Sequence, residues 1–400
     1  MTRALKALLA AQALSILGSA IAAVAIPWLL LEGQVSPLQM SWIFMAQSGA
    51  ALLAALMGTA LMSRFETRDL YMGCDLLLAT ASVCLITMLA AGWLNPLVIA
   101  LVLAGAAVIS AFSEAAGLAI VPALLPGSGV SPHRVNGMIG SFHNVGDLAG
   151  PALGGWVVAV LGATGALALD AASFVLSAML FWLFVPRSGN PSANHRKETG
   201  NSQTDQWAGV RAIAASRLLR GVTLTSAVVN MVVTPLLVLL LPVMVKGSGG
   251  TAWGLGSLLS CFGAATLVSS VIFSALPSTP RPWLGLMGSL LLAAIALLAL
   301  PGLPGYGMYA SVLLLGLAIG YLGPLEQTLM QVHADPPNIG GILLAYSALR
   351  TLLVPIGFLA AGLAVTYAGP GAACWMLGCT LLVTLGCLLL SSVGHRFESS

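Results

Sequence analysis

Charge is what this sequence has least of. Only 7% of its 400 residues are Asp, Glu, Lys or Arg, whereas a soluble domain carries about 25%. So few charges cannot clothe a water-exposed surface, and a soluble globular protein is excluded. The chain is 58% hydrophobic and its mean hydropathy is +0.99, so lipid is the solvent for most of it. Cysteine is also sparse. Cys74, Cys84, Cys261, Cys374, Cys379 and Cys387 all fall in apolar segments, without metal-ligand spacing to histidine. They read as small buried hydrophobes, and no metal site is expected. A net charge of +3 does not point to nucleic acid, because the basic residues follow membrane topology. No GxxxxGK[ST] loop is present, so no nucleotide is expected to energise the protein. No Ser/His/Asp set and no HExxH motif appears, so an enzyme is not expected. No cofactor is implied; an ion gradient is left as the energy source.

What the chain has in abundance is long apolar runs. A spanning helix needs about 20 such residues. Reading between charged or Gly/Pro/Ser-rich breaks gives twelve spans, near 7–31, 38–62, 70–91, 96–120, 135–160, 163–185, 219–244, 253–276, 283–301, 307–330, 339–367 and 371–392. Residues 1–31 carry Arg3 and Lys6 ahead of a run long enough to cross a bilayer, so they read as a first span rather than a cleaved leader. The polar stretch 187–217 reads as a cytoplasmic linker, with a short amphipathic helix near 205–217. The fold expected is an all-α membrane protein: a bundle over 1–186, the linker, and a second six-helix bundle over 218–400.

Lysine and arginine set the orientation. With the N-terminus inside, 13 of the 15 basic residues are cytoplasmic, leaving Lys246 outside and Arg350 within the membrane. Both termini are then cytoplasmic. The two halves also repeat. Pro27 matches Pro242, Gly49-Ala50-Ala51 matches Gly263-Ala264-Ala265, and Gly137 and Pro151 recur 204 residues later as Gly341 and Pro355. Such a duplication, with a substrate site between the repeats, is a known transporter plan.

Residues 137–155 concentrate helix breakers: Gly137, Gly146, Gly150, Pro151, Gly154 and Gly155 stand in one apolar segment. Glycine costs about 1 kcal/mol against alanine inside a helix, and proline more. Membrane helices use small residues where they approach closely. The spacing resembles the fifth-helix antiporter motif of major facilitator superfamily exporters, and all six fixed positions match. Further stretches are similar to the macrolide-efflux and enterobactin-exporter-like branch: Ala25-Ile26-Pro27-Trp28 with Ser36-Pro37-Leu38-Gln39, then Val121 to Pro126, then Gln331 to Gly341. In the loop between spans 2 and 3, Arg64 and Arg68 match the superfamily's basic gating positions. Ser63 stands where the superfamily has aspartate, with Glu66 and Asp69 as nearby acidic substitutes.

Ionisable groups at membrane depth are functional candidates, because inserting one costs roughly 2.5–3.5 kcal/mol. Six are expected there: Asp75, Glu114, Asp147, Asp170, Glu326 and Arg350. Asp147 and Arg350 sit midway along spans 5 and 11, helices that line the gap between halves in the family. They are read either as a proton or substrate site with a tuning arginine, or as a fixed buried ion pair. His143 lies four residues before Asp147, on the same helix face, where it can relay protons. Glu114 and Glu326 occupy equivalent cytoplasmic parts of spans 4 and 10, as proton acceptors, substrate contacts or partners of rim groups. Asp75 is expected to pair with Arg64 or Arg68, and Asp170 to lie at the interface near the outer end of span 6. Gln47, Asn144, Asn230, Tyr321 and Tyr346 are candidates to line an amphipathic cavity.

The resemblance implies a monomeric inner-membrane exporter of a small molecule in a bacterium, coupled to protons and working by alternating access. Arg350 favours a polar, anionic cargo such as a siderophore or other metallophore. Multidrug efflux of the macrolide type is the alternative. A membrane sensor that kept the fold and lost transport is the alternative of another class.

Overall fold

The structure, a computed structural model, describes residues 1–62, 66–93, 95–125, 129–185, 207–276, 282–303, 305–334 and 339–390. Among these residues there is no strand, and nearly all are helical. In lipid a helix satisfies every backbone group within itself, so long apolar runs have little else open to them. Nine helices of the described residues are long and apolar enough to cross a membrane. Large apolar side chains such as Trp42, Leu97, Leu101, Trp182 and Leu390 point outward, as a lipid-facing surface requires.

The chain divides into two compact units. The first holds α1 (Arg3–Glu32), α2 (Pro37–Met62), α3 (Thr67–Ala90), α4 (Pro96–Ala119), the turn α5 (Val121–Leu124) and α6 (Pro132–Phe184), together with Thr251–Gly256. Local chemistry fixes the starts. The Asn95 side chain caps α4 ahead of Pro96, and Ser131 caps α6 ahead of Pro132. α6 carries two expected spans. Gly162, with φ at 73°, turns the corner between them in a conformation that L side chains rarely adopt. The core lies where Leu5, Leu8 and Leu9 of α1 meet Tyr71, Val121 and Phe181. There the Tyr71 and Phe181 rings stack with centroids 4.0 Å apart.

Both arms of α6 clasp α1. Gly146, Gly150 and Gly154 recur every fourth residue on one face and lie against Ile16, Ala20 and Ile21. A Cβ at Gly146 would stand 2.7 Å from the Ile16 methyl, and one at Gly150 would overlap Ala20. On the second arm Ser173 and Asp170 approach Gly18 of α1. The spacing of small residues thus becomes backbone proximity. Gly155, on another face, meets Gly256 of the short segment grouped with this unit. Gly137 is exposed, with open space where a Cβ would stand; it belongs to the sequence motif but not to the close contact.

The second unit holds α7 (Ala208–Ala215), α8 (Arg217–Pro235), a π-helical turn (Leu236–Leu240), α9 (Leu241–Gly247), α10 (Ala252–Ala275) from Ser257 on, α11 (Pro282–Ala299), α12 (Tyr306–His333), α13 (Ile339–Leu349) and α14 (Val354–Leu390). α10 and α12 are laced together by hydroxyls: Thr266, Ser269 and Ser270 donate to the carbonyls of Gly316, Leu317 and Gly320 at 3.2, 2.7 and 2.8 Å. Gly369, φ 85°, folds α14 into two arms as Gly162 folds α6. Divided at these two glycines, the described helices supply a segment for each of the twelve expected spans.

One expected span is not continuous. The run 339–367 breaks at Arg350–Leu353. Pro355 has no amide proton to complete the ladder, and the chain tightens instead, with Val354 donating to the Thr351 carbonyl at 3.1 Å. Of the expected linker, 187–206 lies outside the described residues. The amphipathic helix expected near 205–217 is α7, which packs in the second unit with Gly209 and Ile213 buried.

Candidate functional site

Each unit builds one polar assembly in an apolar setting. In the first, α1, α3, α4 and α6 enclose a cavity of about 330 Å³. Its polar lining includes Gln12, Ser15, Ser19, Ser110, Glu114 and His143. Ile16, Leu78 and Phe174 supply apolar walls. Glu114 is exposed within this lining, so it retains solvent and faces whatever enters. Gln12 is 7% exposed, and its Oε1 has no hydrogen-bond partner. It fits because Gly117 leaves it room: a Cβ there would overlap its amide nitrogen. The cavity has the mixed character of a small-molecule site.

Two further carboxyls of this unit are buried against serine. Asp75, at 0% exposure, accepts from Ser113 Oγ at 3.0 Å. Of the two arginines expected as its partner, Arg64 lies outside the described residues and Arg68 is drawn elsewhere. Its Nη2 donates to the Trp182 carbonyl at 2.9 Å in the last turn of α6, and its nearest carboxylate is Asp69 at 3.9 Å. Carbonyls at a helix end attract a cation. Asp170 is not interfacial either. It is 4% exposed and accepts from Ser82 Oγ at 2.7 Å, tying α6 to α3.

In the second unit Glu326 of α12 is the centre. Its side chain is 5% exposed. One oxygen, Oε2, accepts from Ser226 Oγ of α8 and from Tyr346 Oη of α13, the latter at 3.1 Å. Ser226 and Tyr346 are themselves bonded at 2.7 Å. Asn230 Nδ2, one turn along α8, donates to the Ser226 carbonyl at 2.9 Å. The other carboxylate oxygen, Oε1, is buried without a partner. Arg350 stands at the break after α13 and is exposed. One oxygen of the Glu326 carboxyl is thus held by a bonded hydroxyl pair while the other is open, as is one oxygen each of Asp75 and Asp170.

The sequence candidates are therefore distributed as follows. Glu114 and His143 share the first unit's cavity, Glu326, Tyr346 and Asn230 form the second unit's cluster with Ser226, and Arg350 stands at the end of α13. Tyr321 packs edge-on against Phe273, at 5.2 Å between centroids, and covers Gly285. Gln47 is half-buried on α2. Arg64 lies outside the described residues, as do the side chains of Asn144 and Asp147. Ser226 and Gln12 were missed. Both had a signal, since Gln12, Ser15 and Ser19, and likewise Ser226 and Asn230, are polar at helical spacing in otherwise apolar helices. Among the described residues no group of acidic, histidine and cysteine side chains is arranged to hold a metal ion.

A family model described as Major Facilitator Superfamily matches residues 8–358. Among curated proteins, the chain is 27% identical over 358 residues to a multidrug efflux pump Tap of Mycobacterium tuberculosis strain H37Rv, covering 86% of this chain and 83% of the relative. It is 25% identical over 358 residues to the pump of the same name in Mycolicibacterium fortuitum, covering 86% and 85%. Among solved structures it is similar to a POT family transporter in complex with 5-aminolevulinic acid, with a TM-score of 0.73 at 13% identity over 99% of this chain and 97% of that one. A D-xylose-proton symporter gives a TM-score of 0.67 at 14% identity, over 97% and 96%. At such identities these structures speak for the fold alone.

Proposed function

The chain belongs to the Major Facilitator Superfamily, and from that footing we propose that it is a proton-driven exporter of amphiphilic compounds of the multidrug type. It works by alternating access in a bacterial cytoplasmic membrane, as a monomer with both termini inside. The observation that carries the coupling is the Glu326 carboxyl, buried in an apolar helix and held by two hydroxyls with one oxygen unused. Ionised, it accepts from Ser226 and Tyr346. Protonated, it turns one oxygen into a donor. Those two states hold α8, α12 and α13 differently, which is what an ion-coupled step needs.

Two observations support drug efflux over metallophore export. The curated relatives carry the name multidrug efflux pump. Among the described residues the acidic group lining the first unit's cavity is Glu114, which suits a lipophilic cation.

The test is transport of a cationic dye by purified protein in liposomes under an imposed pH gradient. Glu326→Gln keeps an acceptor for Ser226 and Tyr346 but cannot ionise. It is expected to lose gradient-driven transport while retaining dye–dye exchange. Full gradient-driven transport in this variant would remove Glu326 from the coupling. A wild-type protein that moves an iron chelator and no dye would return the cargo to the metallophore class.

A further inference from the structure

The short helix α7 is seated on α13 through its backbone. Gly209 of α7 is buried, and a Cβ there would overlap the Gly341 carbonyl and stand 3.1 Å from the Ala345 Cβ. Ile213, one turn further, is 3% exposed. The end of α7 is held in turn by Arg220, whose Nη1 donates to the Ala214 carbonyl at 3.0 Å. α13 is thus gripped near its start by α7. Toward its far end it carries Tyr346 to Glu326, and immediately beyond it the helix is broken at Arg350–Leu353. Across that break the backbone is bonded through tighter turns, with Thr351, Leu352 and Val354 donating three residues back at 3.3, 3.1 and 3.1 Å, and such a tightened stretch within a helix marks a hinge. Its position then depends on what touches it.

We propose that α7 is a clamp on α13: its seat at Gly341 sets where the Tyr346 hydroxyl meets the Glu326 carboxyl, so that the linker helix regulates the buried acid. The clamp rests on geometry alone; its role in transport rests on the coupling assigned to Glu326. Few other groups compete for control. α8 presents the Ser226 hydroxyl, and α13 with its end presents Tyr346 and Arg350. α11 has no titratable side chain, and α10 has only Cys261, which lies at the Tyr309 carbonyl.

The test uses two glycines of one contact. A methyl at Gly209 collides with the Gly341 carbonyl, whereas a methyl at Gly341 finds only the Gly209 nitrogen, 4.0 Å away. Glu326 is read by its labelling with a hydrophobic carbodiimide, which attacks the protonated acid, in the full-length protein at fixed pH. Tyr346→Phe removes one donor from the carboxylate and favours the protonated form. It is expected to raise labelling by roughly tenfold, the ratio that about one hydrogen bond to a charged group supports. Gly209→Ala is expected to follow Tyr346→Phe, and Gly341→Ala to label as wild type. If Gly209→Ala is not recovered folded, Ile213→Ala loosens the same seat without adding volume and is expected to behave alike. Wild-type labelling in a folded clamp variant, or in Tyr346→Phe, would overturn the proposal. Because the readout is labelling, it stands apart from Glu326→Gln transport: a clamp without coupling, or coupling without a clamp, would each be visible.

Discussion

Asp170 and Glu326 are both buried carboxyls bonded to serine, but they are set in different company. Asp170 joins the second arm of α6 to α3 through Ser82, beside the close approach to Gly18 of α1. Glu326 has a second hydroxyl, on a helix that breaks a few residues further on. The first arrangement ties helices together; the second is the one to which coupling is assigned. Ser82→Ala, which takes the hydroxyl from Asp170, is therefore expected to destabilise the protein by about 1–3 kcal/mol. Ser48→Ala is the control, because its hydroxyl bonds only to the Phe44 and Met45 carbonyls of its own helix. It should change stability by less than about 0.5 kcal/mol. Thermal unfolding in detergent reads both. Equal effects would mean that the Asp170 bond contributes nothing beyond a local one. Sequence made these acids visible because a carboxyl in an apolar run is conspicuous. It placed Asp170 at the interface and did not see the serines that meet Asp75 and Asp170, because serine in a membrane helix is unremarkable until another helix brings a carboxyl to it.

At the scale of the element, glycines that look alike in the sequence do different work. Gly150 lies on α1, and Gly137 faces open space. Gly150→Ala inserts a methyl into Ala20, an overpacking that costs typically 1–3 kcal/mol. Ala20→Gly in the same protein should restore the space. Gly137→Ala should be neutral or stabilising by up to about 1 kcal/mol, since alanine is the better helix former. Thermal stability and dye efflux of the three variants check this. A tolerated Gly150→Ala would show that the clasp has slack. The period of four among Gly146, Gly150 and Gly154 was legible as a packing face, but α1 as the partner was not. The corners were also foreshadowed: the gap between expected spans 5 and 6 falls at Gly162. The break at Arg350–Leu353 was not, although Pro355 was in view. Its counterpart Pro151 lies inside a continuous helix, so proline alone does not decide where a ladder fails.

At the scale of the whole molecule, the basic residues make a prediction about sidedness. In a cysteine-free background, Ser248→Cys follows α9 on the expected outer side, and Arg217→Cys begins α8 on the inner side. A membrane-impermeant maleimide should label Ser248→Cys in intact cells, and Arg217→Cys only after permeabilisation. The reverse pattern would invert the topology. Scarcity of charge, the length of the apolar runs and the lysine–arginine bias are sums over the chain. They determine that it lives in lipid and spans it many times as helices, while the recurring glycines and prolines and the family resemblance place it with transporters built from two repeats. None of these depends on which helix touches which. The chemistry does. Glu326, Ser226 and Tyr346 are separated by as much as 120 residues, and only the packing of α8, α12 and α13 turns them into one bonded group. Likewise Glu114 and His143 become neighbours of one cavity only because α4 and α6 fold around α1. Hydropathy is a property of a segment and can be read along it. A hydrogen bond is a property of a pair, and the pair exists only once the helices have packed.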